Sequence, residues 1–414
     1  MIKWLGGDTG RLCLLNDLMI LRSRKPLSVP GETDYTHCGA WACFRYFTCI
    51  DRMGYRMKDN NKTKRFHSTG RAVLAILALI LGTTEKAVCA DQRPSGWPNL
   101  RKAPWPKSEL DLKQIPFKIV YETLRTTHGK ENWELYLVHA DGSNSVNLTN
   151  TPDVDEMYAH ASPDGTKLCF VADEGSGRNK VRSVYYMNID GTGRVKVARN
   201  ARQACWGPDS KTIAYLKAEF ERFTLRDYAT KGLFFYDLQT QSHREHVNKK
   251  LHHLYNITWS ADSNWFLATV HGGMGFGHAI LAFRADQPEI YDLTKFEVGG
   301  CRPDFRFDDH MLTWGMTDWD LCTAHIDTAS GQPIVSDVLC LVQCRKTHEI
   351  YHSDFSPDGK YIAFSHGLKA SEIVGGKAPG WNICVCDLNG KWTEITTDGH
   401  HNKEPDWVPI AAAK

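Results

Sequence analysis

Apolar and β-branched residues in this chain come in short runs, cut at regular distances by residues that favour turns. One phrase keeps returning. It reads ASPDGTKLCF from Ala161, WGPDSKTIAY from Trp206, WSADSNWFLA from Trp259, FRFDDHMLTW from Phe305 and FSPDGKYIAF from Phe355. A truncated copy, Pro405 to Pro409 (PDWVP), closes the chain. In each copy an apolar anchor ends one strand and a turn follows. Pro presets φ, Asp bonds its own backbone and Gly accepts positive φ. A second apolar strand comes next. Third strands show at Glu134–Val138, Ser183–Asn188, Gly232–Tyr236 and Asn382–Cys386, and Asp141-Gly142, Asp190-Gly191 and Asn389-Gly390 mark hairpin ends. No stretch after residue 115 has the 3.6-residue period of an amphipathic helix.

Anchors at 161, 206, 259, 305, 355 and 407 stand 45, 53, 46, 50 and 52 residues apart. That period is one four-stranded propeller blade. Phe117–Tyr121 supplies a second strand without an anchor before it, and Trp407 is an anchor with no second strand after it. Pairing the two removes both deficits and an exposed edge. The expectation is an all-β, six-bladed β-propeller of four-stranded blades over 115–414, closed by pairing of the C-terminal strand with the N-terminal blade.

The segment before the repeat has a different character. Ala72 to Leu81 (AVLAILALIL) is the one long apolar run. As a helix it would rise about 15 Å, half of what a membrane span requires. A basic, polar stretch from Met57 to Arg65 precedes it, and Val88-Cys89-Ala90 follows. This is signal-peptide anatomy over 57–90, with cleavage after Ala90. Residues 1–56 read as a mis-annotated upstream extension, with translation starting at Met57. Residues 91–114, with four prolines, read as a Pro-rich leader. The mature protein is expected to be periplasmic or secreted, with no stable membrane span after cleavage.

Composition adds exclusions. Fifty Lys+Arg against 48 Asp+Glu leave a formal charge of +2, so nothing draws the chain to nucleic acid. The eight cysteines after Ala90 show no haem-attachment or paired CxxC zinc spacing, and most are expected to be buried. Cys384 and Cys386, two apart on one strand, face the same side. There is no GxSxG elbow and no HExxH. Gly272 to Gly277 (GGMGFG) lacks the Lys of a phosphate loop and is expected to form a flexible rim loop.

Rotational equivalence directs attention to the channel. Three residues before each anchor stand Tyr158, Gln203, Asn256, Arg302, His352 and Glu404. All six can hydrogen-bond, and at equal depth they would form a ligand-contacting ring. Solvation of a narrow polar channel accounts for them equally well. Histidines concentrate toward one rim. His252, His253, His271, His348, His352, His366, His400 and His401 are the candidate ligands of a divalent metal. His348 and His352 on one extended strand would stand roughly 13 Å apart, so any shared ion draws its ligands from different blades.

The recurring anchor-turn-strand phrase, with Asp164, Asp209, Asp262, Asp308 and Asp358 in its turns, resembles the TolB-type propeller repeat over residues 117 to 410. That resemblance implies recognition of an envelope protein or peptide at the rim or channel, and the expectation is a monomeric, non-catalytic module without a cofactor. The long segments Lys217 to Lys231 and His366 to Gly380 are expected to shape its contact surface. The alternative is a metal-dependent polysaccharide lyase of the oligogalacturonate type, a family that also uses a TolB-like propeller. That resemblance implies a divalent metal such as Mn held by channel His and Gln residues. His352 and Gln203 look similar in kind, and Arg302 would bind a substrate carboxylate.

Overall fold

The computed structural model describes residues 110–410, apart from 309, 317–318 and 372–375. The upstream extension, the signal segment and most of the leader lie outside the described residues. Among those residues no helix is long and apolar enough to cross a membrane.

Twenty-four strands are described. In chain order they are β1 (Lys118–Thr127), β2 (Lys130–His139), β3 (Val146–Asn147), β4 (Asp155–Ala161), β5 (Lys167–Glu174), β6 (Val181–Asn188), β7 (Val195–Arg199) and β8 (Ala201–Trp206). Then come β9 (Thr212–Ala218), β10 (Thr230–Asp237), β11 (His243–Glu245), β12 (Leu254–Trp259), β13 (Trp265–Gly273), β14 (Phe276–Arg284), β15 (Ile290–Asp292) and β16 (Gly300–Phe305). The series ends with β17 (Met311–Met316), β18 (Leu321–Asp327), β19 (Ile334–Val342), β20 (His348–Phe355), β21 (Tyr361–Leu368), β22 (Asn382–Asp387), β23 (Trp392–Glu394) and β24 (His401–Val408). They pair as six four-stranded antiparallel sheets. Blades 2 to 6 run β4–β7, β8–β11, β12–β15, β16–β19 and β20–β23, each in chain order from the axis outward. Blade 1 has the order β24-β1-β2-β3, so the chain ends close the ring as the repeat count requires. In that pairing Trp407 lies opposite Ile119, and Lys403 opposite Glu122.

The turn chemistry is visible at atomic level. Asp164 accepts from the Ser162 hydroxyl at 2.6 Å and from the Thr166 N–H at 3.0 Å. Asp262 and Asp358 repeat the bond to Ser260 and Ser356. With its backbone donors satisfied locally, each turn holds the two innermost strands of its blade in register.

Middle strands are buried on both sides because neighbouring blades cover both faces. Trp265, Leu267, Ile280 and Ala282 of blade 4 share one core cluster with Leu312, Trp314, Cys322 and Ala324 of blade 5. A large side chain fully buried in this way contributes roughly 1.5–3 kcal/mol. The eight described cysteines are thiols, and seven of them are buried. Cys384 and Cys386 fall in the same cluster, between blades 5 and 6.

The expected flexible loop at Gly272–Gly277 is instead a tight hairpin. Gly273 pairs with Phe276, and the two residues between them, Met274 (φ 56°) and Gly275 (φ 89°), make the turn. Positive φ at both central residues matches the right-handed twist of the flanking strands. The glycines serve geometry here.

Candidate functional site

The six innermost strands share one irregularity. At Tyr158, Gln203, Asn256, Arg302, His352 and Glu404 the register slips, and φ is 55°, 38°, 46°, 59°, 55° and 52° respectively. Each is the first residue of a β-bulge in the left-handed region, a conformation of order 1–3 kcal/mol above ordinary strand for a residue with a side chain. A bulge also takes backbone N–H groups off the ladder, and side chains recover them. Tyr158 N–H donates to Glu122 Oε2 at 2.9 Å, Arg302 N–H to Thr269 Oγ1 at 2.8 Å and Glu404 N–H to Ser365 Oγ at 3.0 Å. Gln203 Oε1 accepts from the Asn256 N–H.

The ring therefore exists at one depth, but its side chains contact each other and fill the axis. Arg302 donates to Asn256 Oδ1 and Glu404 Oε1, each at 2.9 Å. His352 Nε2 lies 2.5 Å from Glu404 Oε1. Burial and the Arg302 charge push His352 down to about 3, so its imidazole is neutral at pH 7. Burial would raise Glu404, but His352 and Arg302 hold it down at about 2. A carboxylate thus sits between a guanidinium and a neutral imidazole. Ser365 Oγ lies 3.2 Å from His352 Nδ1, which suits a hydroxyl donating there and leaves Nε2–H for Glu404.

A seventh member comes from outside the ring. The segment between β9 and β10 turns inward and carries Asp227, only 4% exposed, to the axis. Its carboxylate accepts from the Tyr158 hydroxyl at 2.8 Å and stands 3.5 Å from Arg302 Nη2. Arg202 donates to the Thr224 carbonyl of the same segment. The stretch 217–231, expected to shape a contact surface, keeps Phe220 and Leu225 exposed and also brings Asp227 to the axis.

Open space lies two residues further along the same strands. One residue before each anchor stand His160, Cys205, Thr258, Asp304, Asp354 and Asp406, and all six line a funnel of about 280 Å³. Its wall is made of the anchors Trp206, Trp259, Phe305 and Trp407, and Pro163, Pro208 and Phe307 stand at the turns. Phe307 is 42% exposed. Below this floor a cavity of about 40 Å³ separates the second ring from the first.

The floor also ties blade to blade. Asp304 accepts from the Phe355 N–H (3.0 Å), Asp354 from the Trp407 N–H (2.7 Å) and Asp406 from the Ala161 N–H (2.9 Å). His160 Nδ1 is 2.7 Å from Asp406 Oδ2. Burial opposes a charge on His160, yet the Asp406 carboxylate raises its pKa overall. Burial pushes Asp304 up to about 6, and burial with the charges of Asp406 and Asp304 raises Asp354 well above the usual carboxylate range. Sequence reasoning passed over this second ring. Its signal was present, since the alignment that exposes offset three also exposes offset one.

The candidate metal histidines are not gathered at one point. Both ring nitrogens of His252 meet backbone, the Lys250 carbonyl and the Met274 N–H. His253 Nδ1 meets the Gly272 carbonyl, and its Nε2 lies 3.2 Å from Glu219. His271 packs on Tyr228, with ring centroids 4.5 Å apart. His401 Nδ1 accepts from the Ala378 N–H, and the His400 N–H donates to Asp398. His352 belongs to the channel network. His348 lies flat against His366, centroids 5.0 Å apart and planes 10° from parallel.

No protein-family model matches the chain, and no curated protein matches it. Solved structures do. TolB from Acinetobacter baumannii superposes with a TM-score of 0.52 at 14% identity, over 71% of this chain and 67% of its own. Hydrazine synthase of Kuenenia stuttgartiensis gives 0.51 at 12% identity, over 70% of this chain and 46% of its own. An oligogalacturonate lyase in complex with manganese reaches 0.36 at 14% identity, over 67% and 72%, a likeness too low to carry an argument. The chain resembles the TolB-like six-bladed propellers in fold, and identities this low speak to fold alone.

Proposed function

We propose that this protein is a secreted or periplasmic binding module whose funnel receives a protein ligand as an exposed peptide segment. The observation that carries the reading is the funnel itself, with indole and phenyl walls over a floor of carboxyls. Such a cleft suits an apolar or aromatic side chain in van der Waals contact with Trp206, Trp259 and Phe307, beside a group that donates hydrogen bonds to Asp304 or Asp406. The channel below is filled by the Arg302–Glu404–Asp227 network, so a ligand would seat on that plug without threading it. A rigid floor lowers the ordering penalty of binding. The signal-peptide pattern over 57–90 supports the compartment, and a mature N-terminus at Asp91, read by N-terminal sequencing, would agree with it.

Site-specific photo-crosslinking tests the site. A photoreactive residue replacing Phe307 should yield one discrete adduct in cells of the source organism, and one replacing Ile334 on an outer strand should yield none. Trp259→Ala should abolish that adduct, with affinity for the isolated partner falling about 30-fold, the scale of an aromatic anchor worth 2 kcal/mol. Equal labelling from both positions would remove the funnel as the binding site.

A further inference from the structure

We propose that His366, Cys384 and Glu394 form a transition-metal site on the face of blade 6. Among the described residues, their ligand atoms all lie within 4.8 Å of one another. Strand register places them. Cys384 on β22 lies directly opposite Glu394 on β23, and His366 on β21 pairs with Asn382, two residues from Cys384. Side chains two apart on a strand share a face, so three adjacent strands present imidazole, thiol and carboxylate to one point. His366 Nδ1 stands 4.0 Å from Glu394 Oε1.

A tetrahedral ion with bonds of about 2.0–2.3 Å spaces its ligands roughly 3.5 Å apart. The trio must close by about 1.3 Å at most, and the Glu394 side chain, 20% exposed, has room to move. The imidazole is already held in place. His348 stacks on one side of it, and Trp392 meets it edge-on at 5.2 Å. Nitrogen, sulfur and oxygen donors together favour a borderline divalent ion such as zinc or cobalt over calcium or magnesium. Three protein ligands leave one tetrahedral position for solvent or a bound group. The site is separate from the funnel and does not depend on it.

Cobalt(II) is the probe, because a thiolate ligand produces a near-ultraviolet charge-transfer band that nitrogen and oxygen ligands do not. Purified protein under reducing conditions should bind one equivalent with that band, and zinc should displace it. Cys384→Ala should remove the band, and His366→Gln should weaken cobalt binding at least 10-fold. Cys344→Ser, in the segment after β19, should leave the band intact. Zinc should also raise the melting temperature of the wild type and not that of Cys384→Ala. Wild-type protein with normal circular dichroism but no thiolate–cobalt band would overturn the proposal even if the Cys384 variant failed to fold. Persistence of the band in Cys384→Ala would do the same.

Discussion

Asp354 shows how a single buried carboxyl works in this ring. It accepts the Trp407 N–H and shares a hydrogen bond with Asp304. Burial and two neighbouring carboxylates raise its pKa, so in the folded protein it keeps a proton that the unfolded chain gives up near pH 4. Folded-state pKa values above the unfolded ones make this contribution to stability greatest below about pH 4 and diminish it as pH rises through the folded value. Asp304, at about 6, adds to the same trend. Asp354→Asn keeps the shape, accepts from Trp407 and cannot ionise. It should therefore be more stable than wild type in urea at pH 8, by a margin that shrinks toward zero at pH 4. Asp354→Ala, which strands the Trp407 N–H, should lose about 1–3 kcal/mol. A margin for the Asn variant that does not change with pH would contradict the assignment of a protonated Asp354.

At the scale of the element, the innermost strand is a β-strand with one bulge built in. Offset three from the anchor was readable because the repeat could be aligned, and the six residues at that offset are those that carry the bulge. The bulge was not readable, since Tyr, Gln, Asn, Arg, His and Glu share no preference for positive φ. What reveals it is the following position, where Pro303 and Pro405 need no backbone donor and follow residues with φ of 59° and 52°. Blade 6 has Ser353 there, after His352 at φ 55°. The Ser353 hydroxyl is buried without a hydrogen-bond partner among the described residues. Ser353→Pro should thus be tolerated and raise stability by about 0.4–1 kcal/mol, through a less flexible unfolded chain. Chemical denaturation measures it, and a loss above 1 kcal/mol would show that blade 6 does not share the backbone of blades 1 and 5.

Over the whole molecule, closure dominates. β24 carries Glu404, Asp406 and Trp407, which serve the first ring, the second ring and the core in turn. Deleting residues 404–414 uncovers the edge of β1 over Lys118–Val120 and takes the Glu404 carboxylate away from Arg302, and losing one partner of a buried pair alone costs about 3–5 kcal/mol. The truncated chain should aggregate or lose its cooperative melting transition, as checked by calorimetry and size-exclusion chromatography. Unchanged melting and monomeric elution would show that the ring holds without its clasp.

Blade number, turn positions, the pairing of the chain ends and the offset of the channel ring were all contained in the sequence, because each follows from a local pattern repeated about every 50 residues. Three things were decided only by tertiary structure. Asp227 reaches the axis because its loop folds inward, and no periodic signal marks a residue that occurs in one blade alone. The open funnel lies at the second ring, since the long side chains of the first are drawn together across the axis by opposite charge. His366, Cys384 and Glu394 meet because three strands register, whereas the histidines that looked equivalent in the chain meet backbone, aromatic rings or the channel network. Repetition specifies where each side chain starts. Which side chains meet depends on channel width and loop path, and those arise only when the ring closes.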